Sequence, residues 1–162
     1  MMNRLILSAI AALLSLAAAA QVSISTVDKA SPNDEVYMDM AVTAAETARD
    51  QGLKPCGAVV ILNGAWRSTG MPSGGTTAEQ AAIDKSRRKS LAGATIYTVN
   101  QPTAAALEAI AASGADAVYF VNPAADVVAA GIYTGADYEG EAPASLPLRR
   151  MDYAPARKFV GK

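Results

Sequence analysis

The sequence predicts a three-layer α/β domain, in which helices cover both faces of a mixed central sheet of about five strands. Helical and strand patterns alternate along the chain, and this alternation is typical of a sheet that lies between helices. Residues 56–62 are continuously apolar, as expected of a strand that is covered on both faces. Asn63 and Gly64 follow directly and are a strong signal for a two-residue hairpin turn.

The first helix of the domain is predicted to start at Pro32 and to run to about Gln51. Ser31 can cap its N-terminus, Pro32 suits its first position and Gly52 can end it. Its buried stripe is predicted from residues at helical spacing, namely Tyr37, Met40, Ala41, Ala44 and Ala48. Further strands are predicted at 65–69, 95–99, 117–121 and 146–150, and further helices at 77–89, 103–112 and 126–130.

The composition limits the chemistry that is available to the protein. The chain has 162 residues, which suits one domain. Its net charge of −1 gives no reason to expect binding to nucleic acid or to an anionic membrane. It contains no His and a single Cys, Cys56. A Ser-His or Cys-His catalytic pair, an intramolecular disulfide and a zinc site of the usual His and Cys ligands are therefore excluded.

Residues 1–20 have the pattern of a signal peptide. Arg4 supplies a positive charge, residues 5–16 form an apolar run that is short for a membrane span, and three Ala precede Gln21. Cleavage at this site would leave a periplasmic or secreted protein without stable membrane anchoring. The alternative is an uncleaved anchor helix. Residues 21–33 are then a polar lead-in segment, and residues 34–162 form the domain.

Three segments resemble the motifs of one superfamily in order and spacing. Residues 55–60 read PCGAVV, residues 76–83 read TTAEQAAI and residues 98–106 read TVNQPTAAA. They resemble the first strand and the two helix starts of the cytidine deaminase-like superfamily, whose signature is H-x-E followed by P-C-x-x-C. The closest subgroup resembles the guanine, cytosine and tRNA-adenosine deaminases. The resemblance implies the three-layer fold of that superfamily.

The resemblance also assigns the site residues. In the superfamily the His and the two Cys bind zinc, and the Glu transfers protons during deamination. The His falls on Thr77 and the two Cys fall on Thr103 and Ala106, whereas the Glu is retained as Glu79. A further Glu, before the Pro-Cys pair, falls on Gln101. All three metal ligands are therefore lost, and no metal cofactor is expected although the family binds zinc.

Two interpretations of these residues remain open. Residues 76–79 also form a capping-box pattern, with Thr76 as cap and Glu79 at the third helical position, so Glu79 is either a structural residue or a vestigial catalytic one. Two helix N-termini are expected to meet at the former zinc site. Thr77, Glu79, Gln101, Thr103 and Ala106 are therefore candidates for a pocket that takes a small polar or nucleobase-like molecule.

The leading functional hypothesis is an exported, non-catalytic deaminase-like protein that acts by binding or assembly. One alternative is a hydrolase or deaminase that uses Glu79 and a borrowed metal on a nucleobase or nucleoside. The other is a structural or interaction module, which could be a homodimer. Nucleic acid is not expected as a partner, and the basic cluster at residues 85–89 is expected to be a solvated helix end. Cys56 is predicted to be a buried free thiol in a strand, and Trp66 to be a packing residue.

Overall fold

The computed structural model describes residues 23–140, 143 and 145–162, so the predicted signal peptide lies outside the described residues. The strands are β1 (Ile24–Val27), β2 (Ala58–Leu62), β3 (Ala65–Gly70), β4 (Ala94–Asn100), β5 (Ala117–Asn122) and β6 (Leu148–Met151). The helices are α1 (Pro32–Asp50), α2 (Ala78–Ser86), α3 (Ala104–Ser113), α4 (Ala124–Ala129) and α5 (Ala154–Arg157), with 3-10 turns at Gly135–Tyr138 and Lys158–Val160. No helix among these residues is long and apolar enough to cross a membrane.

The strands form one mixed sheet in the order β1-β6-β5-β4-β2-β3. β2 is antiparallel to both β3 and β4, whereas the β4–β5, β5–β6 and β1–β6 pairs are parallel. One face packs against α1 and α5 through a core that includes Met38, Val99 and Met151. The other face packs against α2 and α3 through a core that includes Leu107 and Phe120. The predicted three-layer architecture is confirmed.

The sheet has six strands because residues 24–27, expected to be a polar lead-in, form β1. Ile24 lies opposite Leu148 of β6, and Val27 lies opposite Met151. This short segment is mostly exposed. An exposed strand has no buried face, so its sequence lacks the alternation of apolar and polar residues that would predict a strand. Its strand structure comes from pairing with a partner more than a hundred residues further along the chain.

The predicted caps of α1 and the hairpin are confirmed. Ser31 Oγ accepts a hydrogen bond from the Asp34 backbone N–H at 3.1 Å, and Pro32 is the first helical residue. Asn63 and Gly64 have φ values of +51° and +75°, which the two-residue turn requires. In the predicted stripe Ala41, Ala44 and Ala48 are buried, whereas Tyr37 and Met40 are half-buried at its edge.

Two local predictions are wrong. The helix predicted to continue to Lys89 ends at Ser86, because Arg87 adopts a left-handed backbone with φ +53° and caps it. Trp66 is not a packing residue: 55% of it is exposed, and its Nε1 donates to Thr69 Oγ1 at 3.0 Å. It lies on β3, an edge strand of the sheet, next to a β-bulge.

Candidate functional site

Two threonines at the starts of α2 and α3 form the centre of the candidate site. Thr77 is the N-cap of α2, and its Oγ1 accepts from the Gln80 N–H at 3.2 Å. Thr103 is the N-cap of α3, and its Oγ1 accepts from the Ala106 N–H at 3.3 Å. Both threonines are buried. The two hydroxyls are therefore held in fixed positions by the first turns of the two helices.

The capping box of α2 lies one residue later than predicted, so the predicted pair of Thr76 and Glu79 is wrong. The backbone of Thr77 is extended and the helix begins at Ala78, which makes Gln80 the third helical residue. Gln80 Oε1 accepts from the Thr77 N–H at 3.0 Å and completes the box. Glu79 is thereby released from capping and points to the sheet.

A cavity of about 360 Å³ opens beside the two helix starts. Thr77 and Thr103 line it together with the loop at residues 72–76 and with Tyr133 of the segment after α4. Lys54 also lines the cavity, and its Nζ donates to Ile132 O at 2.8 Å and lies 4.4 Å from the Tyr133 ring centroid. Glu79, Gln101 and Ala106 do not line the cavity.

Glu79 is buried beneath α2 and bound to the sheet. Its Oε1 accepts from Thr98 Oγ1 of β4 at 2.6 Å. Burial raises the pKa of Glu79 above its ordinary value, and the hydrogen bond from Thr98 offsets this only in part. The side chain therefore favours the protonated acid more than an exposed glutamate does.

Gln101 and Ala106 contribute to the packing and hydrogen bonding of the fold and not to the lining of the cavity. Gln101 Oε1 accepts from the Ala124 N–H at 2.9 Å at the start of α4, and its backbone oxygen accepts from Tyr138 Oη at 2.9 Å. These bonds connect the end of β4 to the segment that carries Tyr133. Ala106 is completely buried, so its methyl group offers no ligand atom to the cavity.

A buried polar cluster beside the site was missed by the sequence interpretation. Asn100 Nδ2 donates to Pro55 O at 3.2 Å and to Cys56 Sγ at 3.3 Å, and Asn122 Nδ2 donates to Asn100 Oδ1 at 3.1 Å. Asn100 and Asn122 are paired neighbours at the ends of β4 and β5. Each of these two apolar strands ends in an asparagine, and this pattern in the sequence could have predicted the cluster.

Cys56 is a buried free thiol, as predicted, but it precedes β2 rather than lying in it. Burial raises the pKa of the thiol to about 11, and the nearby Glu79 carboxyl adds to this shift. The group is therefore a thiol at neutral pH and a poor metal ligand or nucleophile.

The residues that the resemblance places at the zinc position do not fit that metal. Zinc in proteins is bound by Cys, His, Asp or Glu, whereas this site offers two threonine hydroxyls that cap helices and one methyl group. Across the described part of the chain, no group of three or more His, Cys, Asp or Glu side chains could hold a metal ion.

Comparison with known proteins gives structural matches. No protein-family model matches the sequence, and no curated protein matches it. A guanine deaminase from Bacillus subtilis is 28% identical over 60% of this chain and 69% of its own, with a TM-score of 0.56. A structure from work on tRNA:A34 deaminases is 18% identical over 76% of this chain and 98% of its own, with a TM-score of 0.63. A protein solved as a complex with 8-azaguanine is 15% identical over 80% and 86%, with a TM-score of 0.66.

These structures define the architecture as that of the nucleobase and tRNA-adenosine deaminases. The chain has the fold of the cytidine deaminase-like superfamily, as the three sequence motifs predicted.

Proposed function

We propose that this protein is an exported, non-catalytic relative of the deaminases that binds a small, polar, nucleobase-like molecule in the cavity beside α2 and α3. One observation carries the proposal. Thr77 and Thr103 stand where the resemblance places two zinc ligands, and each uses its hydroxyl oxygen to cap a helix. Deamination in the superfamily depends on hydroxide that the metal generates, and this site lacks the side chains to hold that metal.

The cavity has the properties of a ligand site. Its volume of about 360 Å³ lies within the usual range for small-molecule pockets, about 300–1,000 Å³. Thr77 and Thr103 line it together with Tyr133, and this combination of polar and aromatic residues suits a planar molecule with polar edges. The guanine deaminase and the complex with 8-azaguanine among the structural matches support a ligand of this kind.

Titration calorimetry with 8-azaguanine and with guanine tests this proposal. Ala105 lies on α3 at the cavity, and Ala105→Trp should fill part of it and weaken binding at least about tenfold, a loss of about 1.4 kcal/mol. Ala112→Trp, two turns further along the same helix and also exposed, is the control and should bind as the wild type does. Absence of binding to the wild type, or equal binding by both variants, would contradict the proposed site.

A second candidate is a hydrolase with an altered site, favoured by the retention of Glu79 as a buried acid. Burial raises the pKa of Glu79, and a raised carboxyl pKa is suited to a proton donor. Incubation with nucleobases and nucleosides, with added divalent metals, tests this candidate. Turnover that Glu79→Gln abolishes would favour it over the binding protein.

Export is the remaining part of the proposal, and it rests on the charge, apolar run and Ala-rich end of residues 1–20. The protein should be recovered outside the cytoplasm with Gln21 at or near its N-terminus. N-terminal sequencing of that fraction tests this expectation, and a sequence that begins at Met1 would contradict cleavage.

A further inference from the structure

Lys54 brings a positive charge to the cavity beside α2 and α3. Its side chain lines the cavity, and Nζ donates to Ile132 O at 2.8 Å and lies 4.4 Å from the ring centroid of Tyr133. The backbone is held as well, because the Lys54 carbonyl accepts from the Cys56 N–H at 2.7 Å. Although Lys54 lies outside the helices and strands, both its backbone and its ammonium group therefore have a defined position.

The charge of Lys54 has no anionic partner within the part of the chain that the structure describes. Its two side-chain contacts are with a neutral carbonyl and an aromatic ring, and the ion pairs found among the described residues involve other cations. An ammonium group has three N–H donors, of which one is directed to Ile132 O. Two charged donors at the cavity are therefore available to a ligand.

The acidic side chains of Asp137 and Glu79 are bonded to other groups. Asp137 lines the cavity, but its Oδ2 accepts from the N–H and from the hydroxyl of Thr134, at 2.8 and 3.0 Å. Glu79 does not line the cavity, and its Oε1 accepts from Thr98 Oγ1 at 2.6 Å. Burial raises the pKa of Glu79, so this carboxyl favours the neutral acid. Neither side chain is therefore the counterion of Lys54.

The start of α3 adds hydrogen-bond donors to the same cavity. Thr103 and Ala105 line it, and the first turn of α3 contains no acidic side chain. Thr103 is only 4% exposed, and its Oγ1 accepts from the Ala106 N–H at 3.3 Å; among the described residues no acceptor is found for its hydroxyl hydrogen. The first N–H groups of a helix also carry a partial positive charge. A ligand that accepts hydrogen bonds and carries negative charge complements this lining.

We propose that the ligand of this cavity is an acidic oxopurine, that is, a purine that is an anion at neutral pH, and that Lys54 selects it over neutral nucleobases. The inference rests on the proposed function, which places a nucleobase-like molecule in the cavity. The ring oxygens of such an anion share its negative charge and accept from the Lys54 ammonium group and from the Thr103 hydroxyl. Hydrogen bonds between charged groups are shorter and stronger than those between neutral groups, so the charge of the ligand determines the selection.

Titration calorimetry at neutral pH with urate and with 8-oxoguanine tests the proposal. The two purines differ at one ring position, where urate has an oxygen and 8-oxoguanine has an amino group; urate is an anion at neutral pH, whereas 8-oxoguanine is neutral. The wild type should bind urate about tenfold more tightly than 8-oxoguanine, because hydrogen bonds to charged groups contribute more than neutral ones. Lys54→Met removes the charge and keeps an unbranched side chain. It should weaken urate binding about tenfold and change 8-oxoguanine binding less than about twofold.

Two further variants separate the charge of Lys54 from its packing. Lys54→Arg keeps the charge and should keep the preference for urate. Lys85→Met removes an exposed cation of α2 that does not line the cavity, and it should change urate binding less than about twofold because solvent and salt screen such a charge. Equal weakening of both purines by Lys54→Met, loss of the preference in Lys54→Arg, or the same loss of urate binding in Lys85→Met would overturn the assignment to Lys54.

Guanine, titrated in the same way, distinguishes the failure of this inference from the failure of the proposed function. If the wild type binds none of the three purines, both are overturned. If guanine or 8-oxoguanine binds at least as tightly as urate, the binding function stands and the selection of an anion is overturned. The expected result is that urate binds most tightly of the three.

Discussion

Replacement of Glu79 by Gln tests the electrostatic state of the site. Glu79 is only 5% exposed, and its Oε1 accepts from Thr98 Oγ1 at 2.6 Å. No cationic side chain contributes to the shift of its pKa; burial raises the pKa and is the largest cause. In the zinc deaminases the corresponding Glu works beside a metal ion, whereas Glu79 is a buried carboxyl whose pKa no cationic side chain of the described residues lowers.

The sign of the pH effect follows from this raised pKa. The folded protein holds the proton of Glu79 more tightly than the unfolded chain does, so the free energy of unfolding falls as the pH rises from the unfolded value towards the folded pKa. Below the unfolded value the carboxyl is neutral in both states, and its contribution to stability is fully present. Above the folded pKa the cost of burying the ionised form is at its maximum. A Gln at this position carries no such cost at any pH.

The magnitude is set by the desolvation of one buried polar group, about 1–3 kcal/mol. The unfolding free energy of Glu79→Gln minus that of the wild type should therefore increase by about that much when the pH is raised from 4.5 to 8.5. The corresponding difference in melting temperature should increase by several degrees. Urea unfolding at both pH values, followed by circular dichroism, measures the difference. Taking the difference between the two proteins cancels the titration of all other groups.

Glu108→Gln is the matched control, because Glu108 is an exposed carboxyl on α3. Its stability difference from the wild type should be the same at both pH values. A pH-independent difference for Glu79→Gln as well would show that Glu79 does not change protonation between the folded and unfolded states. The assignment of a buried, proton-holding carboxyl would then be refuted.

Two further predictions concern packing around the site. Cys56 is 3% exposed and burial raises its pKa to about 11, so a thiol reagent should label it slowly in the native state and rapidly in denaturant; rapid native labelling would contradict its burial. Gly70→Ala should lose about 1–3 kcal/mol or more, because the new Cβ would lie 2.1 Å from Ala78 O. Gly135→Ala, where nothing lies within 4 Å, is the control, and equal thermal melts for the two variants would contradict the close contact of α2 with β3.

The sequence predicted those parts of the fold that depend on local signals. Ser31 and Pro32 marked the start of α1, and Asn63 with Gly64 marked the β2–β3 hairpin, because caps and tight turns are determined by a few neighbouring residues. β1 was not predicted, since Ile24 to Val27 become a strand only by pairing with β6. The energy of that pairing is not present in the local sequence.

The site was predicted in outline and not in its contacts. The motifs located Thr77 and Thr103 at helix starts, where both are found. The capping box begins at Thr77 rather than Thr76, so Glu79 faces the sheet instead of the cap. A sequence pattern does not determine the first residue of a helix to within one position. Tyr133 reaches the cavity from a segment without regular structure, and no local motif marked it.

The central claim is that the deaminase fold is kept with a site that does not bind zinc, and zinc content measures it most directly. The protein is purified in the presence of excess zinc, dialysed, and analysed by atomic emission. The wild type should contain far less than one zinc per chain, because threonine hydroxyls and a methyl group stand at the ligand positions. The variant with Thr77→His, Thr103→Cys and Ala106→Cys should contain about one zinc per chain, since it supplies the ligand types of the superfamily site. One zinc per wild-type chain would contradict the claim, and a folded triple variant without zinc would contradict the assignment of these three positions.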